Sequence, residues 1–165
     1  MAAPSSKVRL GFGSGKVNDI VTPKDLYDDL NKEFAFDFDP CPLGWKDFIP
    51  YIPDADGLKI PWGQSNFINP PFNEIRKWIN KGLKEWDGGK KTCVFLIPAR
   101  THTATWFRLI WPKATEIRML SHFGFPGYEK KSPYGVCVVI FKKGESSGRY
   151  DETVMSKSQL TYFSY

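Results

Sequence analysis

Residues 66–99 fix more about the fold of this chain than any other stretch. "NFIN" is a short apolar run that stops at Asn69, Pro70, Pro71 and Phe72. "NEIRKWINKGLKEW" then sets Ile75, Trp78, Ile79, Leu83 and Trp86 on one face of a helix, with Asn73 as its cap. Gly88 and Gly89 end that helix, and "TCVFLIPA" follows as a continuous apolar run of the kind that is covered on both faces. Farther on, "TATWFRLI" predicts a short helix, while "TEIRML" and "YGVCVVIFK" predict strands. Strand and helix in alternation predict an α/β fold: three layers, a mostly parallel sheet with helices on both faces.

The segment before this unit has its own signals. "VTPKDLYDDLNKEF" predicts a helix over about residues 23–34, with Thr22 as N-cap, Pro23 at the first helical position and Asp25 in the first turn, where the helix dipole favours an anion. "AFDFDP" alternates Phe36 and Phe38 with Asp37 and Asp39, so a strand there buries both rings on one face and sends both carboxylates to the other. Pro40 ends it. Residues 41–65, rich in Pro, Gly and Asp, form a connection long enough to be a candidate functional loop.

With 165 residues the chain has room for one domain. We expect a flexible N-terminal arm over residues 1–18, the domain over 19–144 and a weakly patterned tail over 145–165. Loops must then carry any partner recognition. No apolar run approaches the roughly 18 residues of a membrane span, and the first residues lack the apolar core of an export signal, so a cytoplasmic, membrane-free protein is expected. Cys41, Cys93 and Cys137 are odd in number and far apart, and His102 and His122 are not at ligand spacing, so neither a disulfide framework nor a metal site is expected. The net charge of +5 divides unevenly: +3 over residues 1–18, −7 over 19–56 and +9 beyond. An acidic front with a basic remainder suits a protein that holds something cationic or hydroxyl-rich near its start and a polyanion elsewhere.

The proline corner carries the chemistry. Two prolines in series remove two main-chain donors and fix φ near −65°, and each residue before a proline is driven out of the helical region. A stiff extended corner with bare carbonyls results. Asn69 adds a side-chain oxygen beside the Pro70 carbonyl, and Phe72 adds a flat apolar face. Two acceptors and a ring can hold a planar group bearing an exocyclic amine, such as a flipped nucleobase.

The Asn-Pro-Pro-aromatic tetrad resembles the catalytic motif of the S-adenosylmethionine-dependent amino-methyltransferases. "TPKDLYDDL", "FDFDPCP", "DGLKIPW", "NFINPPFNEIRKWI" and "LIPARTHTATWF" follow in the order and near the spacing of the small phage-type, or Dam-like, DNA N6-adenine methyltransferases. The resemblance covers roughly residues 20–142. It implies a compact Rossmann-like class I methyltransferase fold, S-adenosylmethionine as cofactor, DNA as partner and, for a viral protein, the host cell cytoplasm. It further implies Asn69, Pro70, Pro71 and Phe72 as catalytic residues and Thr22, Pro23, Asp39, Pro40 and Asp56 as cofactor-binding ones. Asp37, on the same expected strand face as Asp39, can share its part. No glycine-rich F-x-G-x-G follows Asp39, a departure from many larger amino-methyltransferases.

DNA contacts are expected from Arg100 and His102 after the "LIPA" strand and from Tyr128, Lys130, Lys131 and Tyr134, where charge and rings interleave. "GFGSGK" at 11–16 has no strand before it and no periodic helix after it, and so reads as part of the arm. Pro40-Cys41 is similar to the nucleophile motif of C5-cytosine methyltransferases, which belong to much longer chains. The alternatives left open are transfer to cytosine N4, an RNA base or a protein glutamine, and a catalytically silent nucleic-acid-binding relative. Target sequence and oligomeric state are not encoded legibly.

Overall fold

The computed structural model describes residues 22–42, 50–120 and 135–145. The expected arm and nearly all of the expected tail lie outside them, as do His122, Tyr128, Lys130, Lys131 and Tyr134. In chain order the elements are α1 (Lys24–Phe34), β1 (Ser65–Ile68), α2 (Ile75–Trp86), β2 (Thr92–Pro98), a π-type segment (Trp106–Ile110), β3 (Glu116–Leu120) and β4 (Val136–Phe141). They build a mixed α/β unit around a four-stranded sheet of order β1-β2-β4-β3.

β1 and β2 pair in parallel, whereas β4 is antiparallel to both β2 and β3. Three strands therefore run the same way and β4 alone is reversed. The expected mostly parallel sheet holds for strand direction but not for pairing, because the reversed β4 fills the gap between β2 and β3 and makes two of the three ladders antiparallel. A continuous apolar run identifies a strand buried on both faces; it carries no information about direction.

Alternate residues of the sheet feed two core clusters. Phe67, Val94, Leu96, Val136, Val138 and Ile140 pack with Tyr27 and Leu30 of α1. Ile68, Cys93, Phe95, Ile97, Cys137, Val139 and Phe141 pack with Trp78, Ile79 and Trp86 of α2 and with Trp106 and Ile110. Every residue of β2 and β4 is buried. Gly82 lets α2 sit directly on the sheet, since a Cβ there stands 2.4 Å from Phe95 Cζ.

Local signals hold with shifts of a residue or two. α1 starts after Pro23, which is extended (ψ 135°) and is itself the N-cap, so Thr22 lies outside the helix. Its end is fixed by Asn31, whose carbonyl accepts from Ala35 N–H and whose Oδ1 accepts from Phe36 N–H over 2.8 Å. Glu74 rather than Asn73 caps α2, with no side-chain cap bond, because the turn closed by Glu74 N–H on Pro71 O comes first. The helix ends at Asp87 in a left-handed conformation, ahead of Gly88 and Gly89, both at positive φ. The expected 103–110 helix is a short piece whose last five residues are π-type.

The expected strand at 35–40 is reduced to one parallel bridge, Phe38 to Asn66. Asp37 N–H and Phe38 N–H both reach Ser65 O, at 2.9 and 3.3 Å, and two successive donors on one carbonyl break the two-residue alternation. Phe36 therefore joins the α1-side cluster and Phe38 the α2-side cluster, against the expectation of one shared face. The carboxylates separate as well: Asp37 is exposed and Asp39 is buried. Cys93 and Cys137 are core residues, and none of the three cysteines is bridged. Among the described residues no helix is long and apolar enough to cross a membrane.

Candidate active site

Parallel pairing collects the chemistry at one edge. β1 and β2 share a direction, and Phe38 bridges Asn66 in the same sense, so Asp39, Asn69 and Arg100 all follow the carboxyl ends of their segments at this edge. Val136 pairs with both Pro98 and Leu120, which brings the end of β3 to the same side. In open α/β sheets this edge is where ligands bind.

Asn69 is 3 % exposed. Its side-chain amide donates to Thr22 Oγ1 over 3.1 Å. Pro70 is buried; Pro71 and Phe72 are half-buried, with Phe72 leaning on the α1-side cluster. The tetrad thus links the residues just ahead of α1 to the turn that opens α2.

Beside it lies a cavity of about 330 Å³, near the lower end of the small-molecule range. Asp39, Pro40 and Cys41 form one wall, Tyr51, Ile52 and Asp54–Gly57 another, and Pro71 and Trp78 a third. Asp39 is the buried charge of this wall, 5 % exposed. Burial pushes its carboxyl up to about 7, although Cys41 N–H (2.8 Å to Oδ1) and the Cys41 thiol both favour the ionised form. Cys41 is raised well above the ordinary thiol range, by burial first and by the Asp39 charge next. Across the wall in α1, Tyr27 is pushed up to about 12 by burial and by Asp39. A buried carboxylate in such surroundings demands a proton or a cation.

The far wall is held from below. Gly57 meets Pro40 so closely that a Cβ there falls 1.9 Å from Pro40 O. Trp62 Nε1 donates to Gly57 O over 2.7 Å and its ring stacks on Trp78. Trp62 is fixed in turn by Glu85, which accepts its main-chain N–H while pairing with Lys81 and Lys91.

Of the residues singled out in the sequence, Asp39, Pro40, Asp56 and Pro71 line one cavity. Asp56 is exposed and held below the usual carboxylate range by Lys59 and by Leu58 N–H. Thr22 reaches the tetrad through Asn69 rather than the cavity, and neither Pro23, Asn69 nor Phe72 is part of the lining. Asp37 is engaged elsewhere, accepting from Gln64 and Ser65 N–H at 3.1 and 3.0 Å. Arg100 is half-buried, its carbonyl accepting from Thr103, and His102 is exposed. Cys41, Tyr51, Ile52, Gly57 and Trp78 were not anticipated as lining. In the sequence Cys41 reads only as part of a nucleophile-like motif and Trp78 only as core, and the Asp56-Gly57 pair is the local signal of a close approach. No group of three or more His, Cys, Asp or Glu that could hold a metal occurs among the described residues.

A family model described as DNA N-6-adenine-methyltransferase (Dam) matches residues 15–153, which is most of the chain. No curated protein matches it.

Proposed function

The chain belongs to the DNA N-6-adenine-methyltransferase family, and on that premise we propose that it methylates the N6 amino group of adenine in DNA, using S-adenosylmethionine, by direct transfer to a flipped base. The observation that carries this reading is Asp39: a buried carboxylate just past the Phe38 bridge to β1, lining a cavity that Pro71 of the Asn-Pro-Pro-Phe corner also lines. The order Phe38 segment, β1, β2, reversed β4, β3, with helical elements packed on both faces, supports a compact Rossmann-like class I arrangement.

The lining suits the cofactor. Asp39 would take its ammonium group, Asp56 its ribose hydroxyls or adenine amine, and Tyr51, Ile52 and Trp78 its apolar surfaces. When bound, S-adenosylmethionine supplies an electrophilic methyl group on a sulfonium. The protein's part is then to make an aromatic amine nucleophilic. Its lone pair is delocalised into the ring, so acceptors on both N–H bonds favour the pyramidal form reached in the transition state. The Asn69 side-chain oxygen and the Pro70 carbonyl are the proposed acceptors, and Phe72 is the proposed stacking plane that shields the positive charge on the nitrogen. Arg100 and His102, with Tyr128, Lys130, Lys131 and Tyr134, are the proposed DNA contacts.

A second reading draws on the same geometry. Asn69 is buried and Phe72 rests on the core, the arrangement expected of a relative that binds nucleic acid without transferring a methyl group. One assay separates the two. The protein is incubated with methyl-labelled S-adenosylmethionine and DNA, and the DNA is digested to nucleosides. Label in N6-methyladenine, lost in Asn69→Ala with cofactor affinity largely kept, supports the first. Label in another nucleoside reassigns the substrate, and DNA binding with no label leaves the second.

A further inference from the structure

We infer that Trp62 is a positioning residue that braces the far wall of the cavity from outside the lining, and that Glu85 holds this brace in place. Residues 50–64 contain no helix or strand, so no ladder of main-chain bonds ties the wall to the sheet. Its turn closes on itself, through Lys59 N–H on Asp56 O (2.8 Å) and Leu58 N–H on Asp56 Oδ1 (3.0 Å). Trp62 makes the connection outward. Its indole N–H donates to Gly57 O over 2.7 Å, and its ring stacks on Trp78 of α2 and packs on Phe95 of β2. Gly57 and Trp78 line the cavity; Trp62, only 4 % exposed, does not, and so acts through them rather than by touching a ligand.

Glu85 fixes the other side of Trp62. Its carboxylate accepts the Trp62 main-chain N–H over 3.2 Å and pairs with Lys81 and Lys91. Lys91 also donates to Trp62 O over 2.8 Å, and the Lys81 ammonium stands 5.9 Å from the centre of the Trp62 ring. Burial opposes the charge on Glu85, but Lys81, Lys91 and the Trp62 N–H outweigh it and hold the carboxyl below its ordinary range. Both main-chain polar groups of Trp62 and its one side-chain donor are thereby engaged, and Gly57 is kept where it meets Pro40.

The consequence for binding rests on the functional reading above, in which this cavity takes S-adenosylmethionine. A wall that is held before the ligand arrives need not be ordered by it, whereas a released wall must be, at a cost in affinity. Once the site is saturated the wall is re-formed, and the transfer step proceeds as before.

The test begins with Trp62→Phe, which keeps a ring against Trp78 and Phe95 and removes the donor. It should weaken S-adenosylmethionine binding about tenfold by titration calorimetry and leave the single-turnover rate at saturating cofactor within about twofold. Glu85→Ala should weaken binding to a similar degree, and the double variant should bind no worse than either single one, because both changes release the same brace. Val138→Ala, a buried residue in the α1-side cluster, controls for lost stability and should keep the affinity of the unmodified protein. Affinity that simply follows Tm across these variants overturns the inference, as do additive losses in the double variant or a loss confined to the rate.

Hydrogen exchange at the Trp62 indole, followed by NMR in the full chain, needs no substitution. Coupling between brace and ligand is reciprocal, so saturating S-adenosylmethionine should slow this exchange by about the same tenfold. A bound ligand that leaves the exchange unchanged overturns the inference. If the unmodified protein binds no S-adenosylmethionine, the functional reading fails and the brace is still decided: Glu85→Ala should speed indole exchange about tenfold while Val138→Ala leaves it unaltered. No change in the first variant, or an equal change in both, overturns it.

Discussion

The Asn69 side-chain amide donates to the Thr22 hydroxyl over 3.1 Å, joining residues 47 positions apart in a buried contact. The bond ties the end of β1 to the residue ahead of α1. It also orients the amide: with the nitrogen given to Thr22, the oxygen end is turned away from it.

Thr22→Val keeps the shape of the side chain and removes the hydroxyl. Leaving the buried amide nitrogen without this acceptor should cost about 1–3 kcal/mol of stability. On the proposed function, freeing the amide to rotate should also lower the transfer rate by roughly tenfold or more with little change in cofactor affinity. Thermal unfolding and single-turnover kinetics check the two parts, and a variant with unchanged rate and unchanged Tm would remove Thr22 from this role.

Asp39→Asn should stabilise the fold while weakening the site. The folded carboxyl sits at about 7, well above the ordinary carboxylate value. Below about pH 4 both folded and unfolded states hold the proton and the group contributes no difference. Between there and about pH 7 the unfolded chain releases it first, so stability falls as pH rises, by up to a few kcal/mol, and stays low above. The amide is never charged and can still accept from Cys41 N–H. At pH near 8 the variant should therefore melt higher than the unmodified protein, with a flatter pH dependence across the window, and should bind S-adenosylmethionine more weakly. A lower Tm at that pH counts against a buried, strained carboxylate.

Cofactor affinity should itself depend on pH. A ligand ammonium requires ionised Asp39, so protons compete with it below about 7. Affinity should climb toward tenfold per pH unit below that point and level off above it. Titration calorimetry in buffers of different ionisation enthalpy should show proton release at about pH 6.5. Binding that is independent of buffer and of pH would place the cation elsewhere.

Gly57→Ala tests the wall of the cavity. Its Cβ would stand 1.9 Å from Pro40 O and 3.0 Å from the Trp78 ring, so the turn or the Pro40 segment must move. Overpacking of this kind costs about 1–3 kcal/mol. S-adenosylmethionine affinity should fall more than the melting temperature alone would explain. Binding within experimental error of the unmodified protein would show that the cavity lies outside the cofactor site.

The helices and strands after residue 64 were legible because their signals are local: period, prolines, and a glycine pair that ends a helix. Caps slipped by one residue where a turn formed first, as Glu74 on Pro71 O did ahead of Asn73. The Phe36–Asp39 stretch was misread because its alternation is broken by two donors converging on Ser65 O, a partner 28 residues away from Asp37 that no local pattern reveals. Of the residues singled out in the sequence, Asp39, Pro40, Asp56 and Pro71 line the cavity, whereas Tyr51, Gly57 and Trp78 gave no local sign of it, since their place in the lining depends on how the 50–64 segment folds back over Pro40.

The sequence by itself determined which stretches bury apolar faces, where a rigid corner interrupts them, and which family the tetrad and its neighbours resemble. Tertiary structure alone decided that β4 runs backwards between β2 and β3, that Asp37 braces a strand while Asp39 is buried beside a cavity, and that Asn69 is held by Thr22. The reason is reach. Periodicity and proline chemistry act within a few residues, whereas strand direction, burial of a charge and a long-range amide–hydroxyl bond are settled between segments that meet only when the chain has closed on itself.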